Sequence, residues 1–226
     1  MSNQANQKID GSEVSKAGNP TYFENERPEV MELVSPEMRT ILDVGCGKGV
    51  LGSKLKEAVP HRKVYGVEYV ENVAAVASTR LDKVIVGDFQ TMDLPIEAGT
   101  LDCAIFADVL EHLADPAAAL RKIKPYLSPK GAIVCSIPNM RHYTVILRLI
   151  RKGWEYEDFG HFDRTHLRFF SRHSITSLMD EAGFQIEIMK PHTVASKKVR
   201  WLNSLIGGRL EEFVAFHYLI LARKSR

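Results

Sequence analysis

The sequence predicts an α/β fold: a doubly wound, mostly parallel seven-stranded sheet with an antiparallel C-terminal edge strand. Three observations predict it. Short apolar runs with little polar alternation recur along the 226 residues, as strands buried on both faces do. Helical patterns separate them, the alternation that lays helices over both faces of a parallel sheet. Finally, an acidic residue follows each of the first four runs: Asp43, Glu68, Asp88 and Asp108. Sheets of this kind bind ligands beyond the carboxyl ends of their strands, so the four carboxylates fall where a ligand belongs.

The elements follow in order. Residues 1–20 are rich in Ser, Asn, Gln, Lys and Gly and read as a flexible arm, which leaves 21–226 as one domain. Pro28 opens a helix whose apolar stripe is Val30, Leu33, Val34 and Met38. Strand 41–44 leads through a glycine loop into a helix reaching about Ala58. Strand 63–67 ends at Glu68, and a helix over 70–79 buries Val70, Val73, Ala74 and Ala77. Strand 83–86 leads to Gly87-Asp88, and strand 101–106 to Asp108. A helix from Asp115-Pro116 buries Leu120, Ile123 and Leu127, bent or shortened by Pro125. Strand 131–137 comes next, then an amphipathic basic stretch, 140–152, within a lid or acceptor segment, 138–170. Ser171 caps a helix that Gly183 stops. Strands 184–189 and 213–222 pair at the edge, joined by an insertion at 191–212.

Composition narrows the function class. Hydrophobic content of 45% and charged content of 26% suit one globular domain with a full core. A net charge of +2 lacks the clustered excess of a nucleic-acid binder, so no nucleic acid is expected as partner. Cys46, Cys103 and Cys135 are too far apart for a disulfide framework or a zinc site, which points to a reducing compartment. No apolar signal region and no run near ~20 apolar residues are seen, so the expected location is the cytoplasm, with no membrane span.

The chemistry concentrates in Ile41-Leu42-Asp43-Val44-Gly45-Cys46-Gly47-Lys48-Gly49. Glycines let a backbone turn at φ > 0 and approach a ligand closely. The helix behind them offers free N–H groups and a positive dipole end. A dinucleotide site wants G-x-G-x-x-G, but the third position here is Val50. The spacing is G-x-G-x-G, behind an acidic residue able to hold a cationic amine. Glu68, about 20 residues beyond the loop, stands where nucleotide folds bind ribose hydroxyls, or is simply a solvated side chain.

This loop resembles the first motif of the class I S-adenosylmethionine-dependent methyltransferases, whose fold is Rossmann-like. The likeness extends through Asp108-Val109-Leu110-Glu111-His112-Leu113, Ile137-Pro138-Asn139 and Asp163-Arg164-Thr165-His166-Leu167-Arg168-Phe169-Phe170. Over Tyr22 to Gly183 the chain resembles a bacterial methyltransferase family often associated with sugar or cell-surface polysaccharide biosynthesis. The resemblance implies S-adenosylmethionine as cofactor and S-adenosylhomocysteine as product. It implies an adenine site at Asp88-Phe89, although Phe89 could equally be packing. Cofactor contacts are expected from Tyr22, Asp43, Gly45, Cys46, Gly47, Glu68, Tyr69, Asp88, Phe89, Asp108 and Val109.

Methyl transfer from a sulfonium is an in-line displacement, so alignment of the acceptor dominates and is worth about 7–11 kcal/mol. A hydroxyl acceptor must also lose a proton, which gives a base a role. His112, one turn past Asp108, and His142, after Asn139, are the candidates, against readings as packing or helix-start histidines. The histidines favour O- over N-methylation. Asn139, Arg141, His161, Asp163, His166 and Arg168 are expected to face a small-molecule or saccharide acceptor. His161, Asp163 and His166 read as a hydrogen-bonded loop rather than a metal site. The basic side of 140–152 suits an anionic acceptor or is a solvated helix face. An oligomer is compatible with the sequence. Two rivals stand: a non-catalytic cofactor-binding protein, and a nicotinamide-dependent oxidoreductase, which Val50 and Asp43 disfavour.

Overall fold

Consecutive buried, mostly apolar residues in 41–44 and 103–106 place those strands at the centre of the sheet. In the computed structural model, which describes residues 26–193 and 210–225, β1 (Thr40–Val44) pairs in parallel with β2 (Lys63–Glu68) and β4 (Leu101–Ala107). β3 (Lys83–Val86) adds beyond β2, and β5 (Leu127–Pro138) beyond β4, both parallel. β7 (His217–Lys224) runs antiparallel to both β5 and β6 (Phe184–His192). The order is β3-β2-β1-β4-β5-β7-β6. The expected seven-stranded, mostly parallel sheet is present, with its antiparallel C-terminal strand at this edge.

β7 lies inside that edge and β6 outermost, for a reason visible in their side chains. Tyr218 to Ala222 are all buried, as a strand with neighbours on both sides requires. β6 buries Phe184 but exposes Gln185, Glu187 and Ile188, which suits a rim. The order reverses between β1 and β4, and that switch point opens a crevice at their carboxyl ends.

Successive strand residues point to opposite faces, and each face has its own core. Leu42, Val44, Ala104, Phe106, Ile133 and Cys135 pack against α4 (Pro116–Ile123) and α6 (Arg172–Ala182) through Leu120, Ile123, Ile175 and Met179. Ile41, Cys103, Ile105 and Val134 pack on the other side with Leu51 and Leu55 of α2 (Val50–Ala58) and Ala77 of α3 (Glu71–Ala77). Local signals set the helix ends. Asp115 accepts from Ala118 N at 2.8 Å, with Pro116 in the first turn. Ser171 and Ser174 form a capping box, and Gly183 closes α6 at φ 73°.

Two helices are shorter than their apolar stripes suggest. α1 covers only Pro28–Met31, yet Val30, Leu33, Val34 and Met38 are all buried. The following turns are held by the Arg62 guanidinium, which donates to the carbonyls of Met38, Leu55 and Ser35, each at 3.0 Å. α4 stops at Ile123, a 3₁₀ turn carries Pro125, and Leu127 opens β5 instead of ending the helix. Two further helices are α5 (Tyr143–Lys152) and α7 (Glu211–Val214). α7 occupies the start of the expected strand 213–222. No helix among the described residues is long and apolar enough to cross a membrane. The arm 1–20, Tyr22 and most of the insertion 191–212 lie outside the described residues.

Candidate active site

β1 delivers Asp43 into the glycine loop, and three left-handed glycines turn the chain: Gly45 (φ 69°), Gly47 (φ 54°) and Gly49 (φ 75°). Gly45 N and Cys46 N donate to Val67 O at 2.8 and 3.1 Å, stitching the loop to β2. A Cβ on Gly45 would lie 2.7 Å from Val109 Cγ2, so only glycine fits there. The Glu68 carboxylate completes the clasp. One oxygen accepts from Gly47 N and the other from Val70 N, both at 2.9 Å.

Asp43 is 2% exposed. Burial, then the charge of Glu68, pushes its carboxyl up to about 7, against a smaller opposing pull from Arg27. Among the described residues nothing hydrogen-bonds that carboxyl. Asp108 follows β4 in a left-handed conformation, φ 55°, which Asp tolerates better than most residues. It accepts from Ser136 Oγ at 2.7 Å, pairs with Arg27, and lies 3.5 Å from His217 Nε2. Burial alone would raise its pKa; the pull of His217 and Arg27 and these hydrogen bonds outweigh that and lower it, while burial lowers His217 itself, so Arg27 is the lasting counter-charge. Asp88 accepts from Gln90 N at 2.8 Å on one oxygen and from Thr91 Oγ1 at 3.3 Å on the other. Phe89 is mainly a core side chain, edge-to-face with Phe106 at 5.6 Å.

Across the crevice, a 3₁₀ turn at Leu110–His112 meets the loop 161–168. Glu111 O accepts from Leu167 N and Arg168 N at 2.8 and 3.0 Å. His112 Nδ1 lies 3.2 Å from Thr165 O and 2.9 Å from Thr165 Oγ1. That hydroxyl itself donates to Asp163 Oδ1 at 2.7 Å. A carbonyl can only accept, so Nδ1 carries a proton. The His166 ring stands 4.7 Å from His112, edge-on. Glu111 is 1% exposed; burial first, then Asp108, raises its pKa well above the ordinary carboxylate range. Burial holds His161 down at about 4, with Phe216 O as its partner at 3.2 Å.

These groups surround one cavity of about 1100 Å³. Asp43, Gly45, Cys46, Gly47, Glu68, Tyr69, Asp88, Phe89, Asp108 and Val109 line it, and so do His112, His161, Asp163 and His166. Four expected residues do not. Asn139 is fully buried and its amide donates to Glu212 O and Ala215 O at 2.6 and 2.8 Å. Arg141 pairs with Glu212 and lies over Phe213. His142 stacks behind His161 at 6.0 Å, with Nδ1 on Thr144 Oγ1. Arg168 donates to Ala114 O at 3.1 Å. These four brace the wall and do not face the cavity. No side chain of 140–152 lines it either; Phe159 to Leu167 form that side. Arg27, Glu111, Thr165 and His217 are lining residues that the sequence reading gave no role. Glu111 and Thr165 carried a signal, inside the motif runs 108–113 after β4 and 163–170.

An acid-lined crevice at the switch point of this sheet, beside a glycine loop, is where doubly wound α/β domains bind their ligands. The methyltransferase-domain family matches residues 20–187, and the chain belongs to that family. Its cofactor is S-adenosylmethionine. A probable S-adenosylmethionine-dependent methyltransferase of Mycobacterium tuberculosis is 30% identical over 172 residues, which is 76% of this chain and 58% of the relative. A ubiquinone biosynthesis O-methyltransferase of Dinoroseobacter shibae is 29% identical over 64% of this chain and 59% of its own length. The chain therefore spans under two thirds of these relatives. The solved structure of an S-adenosylmethionine-dependent methyltransferase from Thermotoga maritima matches at a TM-score of 0.66 and 21% identity. It covers 94% of this chain and 96% of its own, and it shows the shared fold.

Proposed function

We propose that the chain methylates a hydroxyl of a small-molecule acceptor, taking the methyl group from S-adenosylmethionine and releasing S-adenosylhomocysteine. One observation carries this reading: Asp43, Glu68 and Asp88, from three different strand ends, line a single cavity with the histidines of the opposite wall. The residues present fit the cofactor. A buried Asp43 carboxyl with no hydrogen-bond partner among the described residues suits a cationic amine. Glu68, held by Gly47 N and Val70 N, stands at the end of β2 where an acceptor for ribose hydroxyls is expected. Asp88 suits an exocyclic amine. When bound, the cofactor supplies an activated methyl carbon on a sulfonium.

The chain's own part is to align the acceptor and deal with its proton. In its neutral form His112 would serve either as a proton acceptor or as a ligand to a Lewis acid, and the two uses exclude each other. A saccharide is the first acceptor class, on the family resemblance. A second reading has support from the structure: Phe159 and Leu167 line the cavity while 64% and 55% exposed. That apolar rim suits a phenolic ring, and relatives named for ubiquinone biosynthesis agree with it. Three free, buried cysteines support a reducing compartment such as the cytoplasm. Calorimetry with S-adenosylhomocysteine, followed by labelled-methyl transfer to cell extract and mass spectrometry, tests the proposal. Binding and a labelled product are expected; no binding would overturn it, and binding without turnover would favour a regulatory cofactor-binding protein.

A further inference from the structure

Glu111, His112 and His166 each bring one metal-competent atom to the same part of the cavity wall, all within 4.8 Å of one another. Three features make this more than proximity. The Glu111 carboxylate is buried, and its Oε2 has no hydrogen-bond partner among the described residues. Leaving such an oxygen unsatisfied costs about 1–3 kcal/mol, which a ligand reaching it would recover. Next, the proton of His112 Nδ1 is held by Thr165, which is itself oriented by Asp163. Metal-bound histidines are oriented by this kind of outer hydrogen bond. Finally, Leu167 N and Arg168 N clamp the Glu111 carbonyl, so the two segments carrying the donors are joined before any ion arrives.

We propose that Glu111, His112 and His166 bind one divalent first-row transition ion, with open coordination positions facing the cavity. Two imidazoles and one carboxylate are a donor set for such ions. Metal–ligand bonds of about 2.0–2.2 Å require the three atoms to draw inward, and the long Glu111 side chain supplies that movement. The role of the ion rests on the methyl-transfer reading. The acceptor hydroxyl coordinates it, the O–H bond breaks, and the proton passes to solvent water. The metal-held oxygen then attacks: the new O–CH3 bond forms as the S–CH3 bond breaks. Bound divalent ions acidify coordinated hydroxyls strongly enough for this near neutral pH. His112 is then a ligand and not the base.

The test uses tag-free full-length protein stripped with a chelator and titrated with Co²⁺, read by visible ligand-field absorption and by calorimetry. One equivalent should bind at micromolar concentration or tighter. Glu111→Gln keeps the volume of the buried group and His166→Ala removes a ligand; each should weaken uptake at least tenfold, with circular dichroism confirming the fold. Thr165→Val, which touches no ion, removes the hydroxyl contact but keeps the carbonyl that His112 Nδ1 also meets, so it should weaken uptake less than His166→Ala does. Absence of stoichiometric uptake overturns the site, as does uptake unchanged in both Glu111→Gln and His166→Ala. S-adenosylhomocysteine binding is measured separately on the metal-free wild type. Cofactor binding without metal uptake sinks the metal site alone, and metal uptake without cofactor binding sinks the methyl-transfer reading alone.

Discussion

Replacing Asp43 by Asn should move stability and cofactor affinity in opposite directions, which a merely structural aspartate would not do. Burial, then Glu68, holds the Asp43 carboxyl at about 7. Roughly three pH units separate that value from the ordinary 3.8, or about 4 kcal/mol. Between about pH 4 and 7 the folded protein keeps a proton that the unfolded chain has lost. Stability without cofactor therefore falls as pH rises through that window, and the loss is complete above it. The amide cannot ionise, so Asp43→Asn removes this slope. At pH 8 the variant gains up to about 4 kcal/mol, less about 1–3 kcal/mol for an amide left partly unsatisfied.

Binding responds the other way. A charge-assisted hydrogen bond between the ionised carboxylate and the cofactor's amine is worth about 1.5–3 kcal/mol, so the variant should bind S-adenosylhomocysteine roughly 10- to 100-fold more weakly at pH 8. Wild-type affinity should itself fall by up to about tenfold per pH unit below 7, as the carboxyl takes its proton. In the variant it should stay flat. Urea unfolding followed by circular dichroism at pH 5 and 8, with calorimetry from pH 6 to 8, measures both. A variant that is less stable at pH 8 yet binds like wild type would refute the assignment. So would a wild-type affinity that does not change over this range.

Glu68→Ala should weaken S-adenosylhomocysteine at least about tenfold, since it removes a ribose acceptor and the clasp on Gly47 and Val70. It also removes the second-ranked cause of the high Asp43 value, so the pH at which calorimetric affinity declines should move below that of wild type. Gly45→Ala forces a side chain into a left-handed residue and against Val109. A loss of about 1–3 kcal/mol by urea unfolding, with weaker cofactor binding, is expected. Arg62→Met strands three carbonyls that the guanidinium satisfies. It should cost at least about 2 kcal/mol in the same unfolding assay while S-adenosylhomocysteine affinity holds.

The half of the cavity proposed to hold the cofactor was legible because topology sets where its carboxylates fall. Parallel strands deliver their carboxyl ends to one edge, so reading where β1, β2 and β4 stop was enough to bring Asp43, Glu68 and Asp108 together. The acceptor half depends on contacts that no local period encodes. Asn139, Arg141 and His142 sit at the correct end of β5, yet the return through α7 claims Asn139 and Arg141, and His161 screens His142. Arg27 and His217 reach Asp108 from opposite ends of the chain. Glu111 stood in view within its motif, but its burial comes from a 3₁₀ turn clamped by a loop more than fifty residues later. The two halves therefore answer to different constraints. Any sequence that folds this sheet with a glycine loop keeps the cofactor side, whereas residues 159–167 can change without disturbing β1 or β2. Variation in acceptor among proteins of this fold should accordingly concentrate in that loop and leave Asp43 and Glu68 in place.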